Sequence, residues 1–270
     1  MLFRYIICLI VEIAFENLFF KHAKTDYPSK YGFHRHIHNL YEILYFKTGK
    51  ASFSIANKKY LLEKGDLIII PPALFHYVTA QEKHIYERYV LFFSNKNIPK
   101  PLLDECFKKF RIVNIAQRKE LTEIFDRFDV HCSLFNNEKL ELAIYAGLTE
   151  LLLHISCVET DTIREELSSN EYVQKAIEFI DNNFCNIHNV DSVLQVVGLS
   201  YGYFTHIFKG ALKIAPMKYV RAKKMLYAQS LIKQGEKPTN ICFNCGFEEY
   251  MSFYRAFKKF FGYPPSSCSS

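Results

Sequence analysis

The feature that most constrains this chain is a repeat. Near its end a short apolar run, Leu194-Gln195-Val196-Val197-Gly198-Leu199-Ser200, leads to Phe204-Thr205-His206-Ile207-Phe208-Lys209 and then Pro216. The same order returns as Cys242-Phe243-Asn244-Cys245-Gly246-Phe247, then Phe253-Tyr254-Arg255-Ala256-Phe257-Lys258, then Pro265. Gly198 and Gly246 stand 48 residues apart, and Phe204/Phe253, Phe208/Phe257, Lys209/Lys258 and Pro216/Pro265 each stand 49 apart. Each copy predicts a short helix that ends at a glycine able to take the left-handed conformation of a sharp turn. Leu199 or Phe247 is expected to plug the angle, and Ser200 to cap the helix that follows in the first copy. In that second helix the Phe pair at i and i+4 anchors one face in a core. The opposite face is left free to enter a major groove, as in a helix-turn-helix.

The free face of the first copy is expected to carry Tyr201, Gly202, Thr205, His206 and Lys209, and that of the second Tyr250, Met251, Tyr254, Arg255 and Lys258. Arg255 is the foremost candidate for a base contact, because a guanidinium grips both acceptors of a guanine. His206 stands next to it in rank, while Lys209 and Lys258 are expected on phosphate, where they position the protein without specifying sequence. Between the copies, Val220, Met225, Ala228, Leu231 and Ile232 recur at helical spacing from Pro216 to Gln234 and predict one long helix. Such a rod suits two successive major-groove segments about 34 Å apart. Charge agrees with this reading. From Asn170 onward there are 12 Lys/Arg against 7 Asp/Glu, so +5 of the chain's +6 sits in the last hundred residues. That is the balance expected of a part that meets a polyanion.

The rest of the 270 residues is long enough for a further domain, and 49% apolar with 23% charged residues predicts a folded chain. Over residues 1–100 the segments are short and aromatic, such as Tyr41-Glu42-Ile43-Leu44-Tyr45-Phe46 and Leu67-Ile68-Ile69-Ile70, with breakers at Gly49, Lys64-Gly65-Asp66 and Pro71-Pro72. That pattern predicts an antiparallel barrel or sandwich. Over 101–158 the period lengthens to that of helices. Leu140, Ile144, Leu148, Leu151 and Ile155 form one stripe, which either covers the barrel or pairs two copies. Residues 159–170 are polar and read as a linker, and 171–270 reads as helical throughout. Arg4, Glu12 and Glu16 interrupt the apolar start, so it is read as buried strand or helix rather than a leader or a span. The eight cysteines follow no framework spacing and are expected as reduced thiols. Cys242 and Cys245 lack a second ligand pair at zinc spacing and are expected in the core of the second copy.

Several of these residues carry a resemblance. Residues Asn170 to Ser270 resemble the DNA-binding domain of the AraC/XylS family of bacterial regulators, through the Gly246-Phe247 turn, both Phe-x3-Phe-Lys runs, and the spacer Tyr219-Val220, Lys224-Met225, Ala228 and Leu231-Ile232. Leu194 and Cys242 depart from the small residue usual at their positions, Glu249 from a better cap, and Lys224 from an arginine. Lys213 replaces the glycine that Gly262 keeps, which costs roughly 1 kcal/mol if the backbone is left-handed there. Earlier in the chain, His36-Ile37-His38, Glu42 and Gly49 resemble the first cupin motif, and Gly65 to His76 the second, with Ala73 in place of a glycine.

The resemblance implies an α+β multidomain protein. It has an N-terminal cupin-like β-barrel with helices, and a C-terminal all-α domain of two helix-turn-helix units joined by a long helix. In metal-binding cupins the residues at His36, His38, Glu42 and His76 hold one divalent ion, whereas regulators of this kind generally hold an organic effector there. An effector pocket of His36, His38, Tyr41, Glu42, Tyr45, Phe53 and His76 is therefore expected, without metal, cofactor or catalytic residues. Its polar groups would bond a sugar or similar metabolite between the walls of Tyr41, Tyr45 and Phe53. The implied partners are an operator in double-stranded DNA, the small-molecule effector, a second copy in a homodimer, and RNA polymerase if the protein activates. A cytoplasmic regulator with no membrane partner and no enzymatic role follows. The rival readings are a cupin metalloenzyme with a helical appendage, and a constitutive DNA-binding protein with a vestigial pocket.

Overall fold

The computed structural model describes residues 7–25, 36–81, 84–158 and 170–268. It divides into two compact units. One is built from the chain up to Leu167, and the other from Ser168–Ser270 together with the short stretches Arg35–Asn39 and Ile55–Lys58. The stretch 159–170 expected as a linker lies outside the described residues except for Asn170.

In the first unit the order is β1 (Ile7–Ala14), β2 (Leu18–Thr25), β3 (Tyr41–Thr48), β4 (Ala51–Ile55), β5 (Lys58–Leu61), β6 (Asp66–Ile70), β7 (His76–Ala80), β8 (Tyr86–Phe93), α1 (Lys100–Cys106), β9 (Arg111–Asn114), α2 (Lys119–Leu134) and α3 (Asn137–Ser156). A six-stranded sheet runs β1-β2-β8-β3-β6-β9 and a three-stranded one β5-β4-β7. Strands β3 and β6 are apolar on both faces because both faces are covered. Residues Ile43, Tyr45, Leu67, Ile69, Tyr89, Leu91 and Phe93 share one core with α1, α2 and α3. The stripe Leu140, Ile144, Leu148, Leu151 and Ile155 belongs to that core, so of its two readings the structure gives the one in which α3 covers the sheet. A continuous helical reading of 101–157 does not survive. Arg111–Asn114 is a strand, with Ile112 opposite Ile68 on β6, and four residues are too few to show a period of two.

Polar groups tie α2 to the sheet. His22, buried on β2, has Nδ1 2.8 Å from Asp129 of α2 and Nε2 3.2 Å from Glu87 of β8, and its ring stacks on Tyr89 at 3.8 Å. The Tyr89 hydroxyl donates to the same Asp129 oxygen at 2.9 Å and accepts from Lys47 at 3.2 Å. Burial and that bond to a carboxylate hold the Tyr89 phenol well above its ordinary range.

The second unit is helical: α4 (Glu171–Asn183), a 3-10 turn at Phe184–Asn186, α5 (Asp191–Val197), α6 (Tyr201–Leu212), α7 (Pro216–Lys233), α8 (Pro238–Asn244), α9 (Tyr250–Phe261) and a final 3-10 turn at Pro265–Ser267. Asn170 caps α4, its side chain accepting from the Val173 amide at 3.2 Å. Pro216 and Pro238 open their helices, where a missing N–H costs nothing. The 18 residues of α7 make a rod of about 27 Å. Tyr219, Val220, Ala222, Met225, Leu226, Ala228, Leu231 and Ile232 bury it on nearly every side, as a helix shared by two neighbours requires. No helix among the described residues is long and apolar enough to cross a membrane.

Candidate nucleic-acid interface and effector pocket

Helices α5 and α6 form one head, and α8 and α9 the other. In the first, Gly198 takes φ +70°, and its amide donates to the Leu194 carbonyl at 2.8 Å. Phe204 and Phe208 are fully buried 5.4 Å apart, and Phe208 meets Tyr219 of α7 edge-on at 5.8 Å. Ser200 occupies the capping position, but its side chain makes no capping hydrogen bond. The helix ends at Lys213 with φ +52°, a conformation that disfavours a side chain. In the second head Gly246 takes φ +69°, and the Phe247 amide donates to the Cys242 carbonyl at 3.0 Å. Aromatic rings then run from Phe247 to Phe253 at 5.5 Å, Phe257 at 5.7 Å and Phe261 at 4.6 Å. This helix ends on Gly262 at φ +83°.

The cysteines of the second head belong to its core. Helix α8 stops at Asn244, so Cys245 is its cap rather than an interior residue. Both Cys242 and Cys245 are fully buried, and burial pushes their thiols up, that of Cys245 to about 12.

Of the residues expected on the two free faces, Tyr201, Gly202, His206, Lys209, Met251, Arg255 and Lys258 are exposed, while Tyr250 and Tyr254 are half-buried against one another at 6.3 Å. Thr205 departs from expectation. Its hydroxyl is enclosed, with no hydrogen-bond partner among the described residues, because position 205 sits beside the buried Phe204–Phe208 face rather than opposite it. Tyr203, 54% exposed, and the exposed Lys259 belong to the free faces instead. Helical spacing shows both, since Tyr203 precedes His206 by three residues and Lys259 follows Arg255 by four. Tyr201, Tyr203, Phe243 and Met251 place large apolar groups in solvent on these two heads.

In the first unit the expected effector residues gather around a buried carboxylate–imidazole pair. Glu42 of β3 and His76 of β7, 3% and 2% exposed, bring Oε2 and Nε2 to 2.7 Å. Nδ1 of His76 lies 2.9 Å from the Leu74 carbonyl. A carbonyl only accepts, so Nδ1 bears a hydrogen. Phe53 of β4 stacks on the His76 ring at 5.8 Å, Phe110 stacks on Phe53 at 5.6 Å, and Tyr60 lies 5.7 Å from Phe110.

Tyr41 and Tyr45 are not walls of this pocket. Side chains alternate along a strand, so on β3 they point away from Glu42. Tyr45 stacks on Phe125 of α2 at 4.5 Å, and Tyr41 packs on Phe93 and Phe107. Phe110 and Tyr60 lie on the side of Phe53 instead, and nothing in the local sequence marks them. His36 and His38, whose rings stack at 5.4 Å, belong to a stretch that clusters with the second unit. Imidazole and carboxylate are ligand types for a divalent ion, and these four residues divide between the units: exposed His36 and half-buried His38 in one, buried Glu42 and His76 in the other.

Two helix-turn-helix heads on one central helix, in a chain that also carries a β-sheet unit with an enclosed polar pair among aromatic rings, define a class: DNA-binding regulators governed by a small molecule. Known proteins agree. The AraC-like ligand binding domain matches residues 23–127, and a helix-turn-helix domain matches 193–269. The chain is 22% identical to the raffinose operon transcriptional regulatory protein RafR of Pediococcus pentosaceus, over 85% of this chain and 84% of that one. It is 23% identical to the arabinose operon regulatory protein of Salmonella typhimurium, over 81% and 79%. A solved structure of ToxT from Vibrio cholerae aligns over 93% of this chain and 98% of its own, at 13% identity and a TM-score of 0.37. The chain belongs to the AraC family of transcriptional regulators, with a ligand-binding domain followed by a DNA-binding one.

Proposed function

We propose that the effector is a small polyhydroxylated molecule, a sugar, held beside the Glu42–His76 pair and the rings of Phe53, Phe110 and Tyr60. One observation carries this reading: a fully enclosed carboxylate–imidazole pair lies directly against a stacked aromatic face. A sugar presents hydroxyls to the one and an apolar C–H face to the other, the combination that fixes orientation in a mostly apolar pocket. Relatives named for raffinose and arabinose operons support it. Effector binding shifts the protein between two states of different DNA affinity, and the pocket is a sensor without catalysis. Calorimetric titration with a panel of mono- and oligosaccharides should give one saturable ligand whose affinity falls at least tenfold in Glu42→Gln and in Phe53→Ala. Indifference to every sugar in wild-type protein would remove the proposal. Stoichiometric metal with turnover and no sequence-selective DNA binding would favour a metalloenzyme instead.

The DNA site comprises His206 and Lys209 of α6 and Arg255 and Lys258 of α9, with Tyr201, Gly202, Tyr250, Met251 and Tyr254 at its margins. Direct base reading is assigned to Arg255. The protein acts as a cytoplasmic homodimer on an operator, and touches RNA polymerase if it activates. Support for the dimer comes from the outer face of α3, where Leu142 and Leu153, 71% and 55% exposed, flank Ala146 and Thr149 at the 4-3-4 spacing of a helix pair. Sedimentation should show Leu142→Glu/Leu153→Glu protein as a monomer where wild type is a dimer; a monomeric wild type excludes the assembly.

A further inference from the structure

Lys224 is an anomaly of the second unit. It sits in the middle of α7 with 6% of its surface exposed. Its ammonium donates to the Gly246 carbonyl at a long 3.4 Å and lies 5.6 Å over the Phe247 ring. No carboxylate pairs with it among the described residues. The nearby groups that act on its charge are the Cys185 and Cys245 thiols and the Arg221 guanidinium, a like charge. Burial pushes both thiols up, so at neutral pH neither supplies the missing negative charge. A buried ammonium without a counter-ion is costly, and burial draws its own pKa down.

Beside Lys224 lies a cavity of about 150 Å³, lined by Ile187, His188, Met217, Val220, Arg221, Lys224, Gly246 and Phe247. At roughly 30 Å³ per liquid water that is room for about five waters. Its polar side chains are all cationic or able to become so. Lys224 is buried, and Arg221 and His188 are exposed at the mouth. Nothing acidic lines it.

We propose that this cavity is a binding site for a phosphate-class oxyanion, with Lys224 as its buried charge and Arg221 and His188 closing over the ligand from solvent. A tetrahedral phosphate fits within that space, and a guanidinium beside an ammonium is the pairing that such an anion takes. The phosphoryl group comes either from free phosphate or a phosphorylated metabolite, or from the backbone of DNA. Only the second source rests on the DNA-binding reading.

The test uses the full chain and inorganic phosphate, titrated calorimetrically against chloride at matched ionic strength. Saturable binding to one site is expected, weakened at least tenfold in Lys224→Met and several-fold in Arg221→Gln. Arg221 is exposed, so its variant keeps the test intact if Lys224→Met fails to fold. Binding of a generic DNA duplex separates the sources. If the site takes a backbone phosphate, free phosphate displaces DNA beyond the effect of ionic strength, and Arg221→Gln lowers the salt slope by about one. If it takes a free anion, the duplex is unaffected by either. Heats indistinguishable between phosphate and chloride, or equal phosphate affinity in wild type and Arg221→Gln, would overturn the proposal.

Discussion

A Cβ added at Gly198 in the first head would meet nothing within 4 Å, whereas one added at Gly246 in the second would meet the Cys185 carbonyl oxygen at 1.9 Å. Both glycines are left-handed, at φ +70° and +69°, so their conformational need is the same and their steric need is not. The far ends of the heads differ in the same direction, with Lys213 at φ +52° in the first and Gly262 at φ +83° in the second. The turn of the second head is thus pressed onto the 3-10 turn and α7, while the turn of the first is open at its glycine and its head is anchored by Phe208 on Tyr219 of α7. Charge follows the split, since the exposed face of α9 bears Arg255, Lys258 and Lys259 against His206 and Lys209 on α6. One copy of the repeat has a turn that admits only glycine and the more cationic face, and the other a turn that is sterically open.

Substitution breaks or sharpens this contrast. Gly246→Ala should cost about 3–5 kcal/mol, left-handed strain and overpacking together, and Gly198→Ala only about 1 kcal/mol, both read from urea denaturation. Equal costs would erase the distinction between the heads. On DNA, Arg255→Ala should lose about 1–3 kcal/mol on the preferred sequence and relax the choice of one base. His206→Ala, with a single hydrogen bond to lose, should cost about 0.5–1.5 kcal/mol; a larger loss at His206 would reverse the ranking. The smallest effect is Lys213→Gly. Release of a left-handed side chain should raise stability by less than about 1 kcal/mol, and a drop in melting temperature would show that Lys213 makes a contact worth more than its strain.

The heads were legible because their signal lies within each copy: two glycines, two Phe pairs and two prolines in register. What fastens the second head was not, since the Cys185 carbonyl stands 61 residues before Gly246 and backbone atoms leave no mark in sequence. Of the residues expected around the effector, Glu42, Phe53 and His76 lie together, whereas Tyr41 and Tyr45 face Phe93, Phe107 and Phe125. From Glu42 to Phe46 every residue of β3 is buried, so no polar alternation distinguishes the side toward the helices from the side toward His76. The same blindness hides the His22, Asp129 and Glu87 cluster, whose carboxylates lie 107 and 65 residues from His22.

What most needs testing is that both heads read one duplex, with α9 as the more cationic reader. Selection of bound DNA from a random pool, with wild type and Arg255→Ala in parallel, tests it most directly. Wild-type protein should recover two short elements about one helical turn apart, and Arg255→Ala should lose information within one element while keeping the other. A recovered pool no different from its input, or one that Arg255→Ala leaves unchanged, contradicts the account.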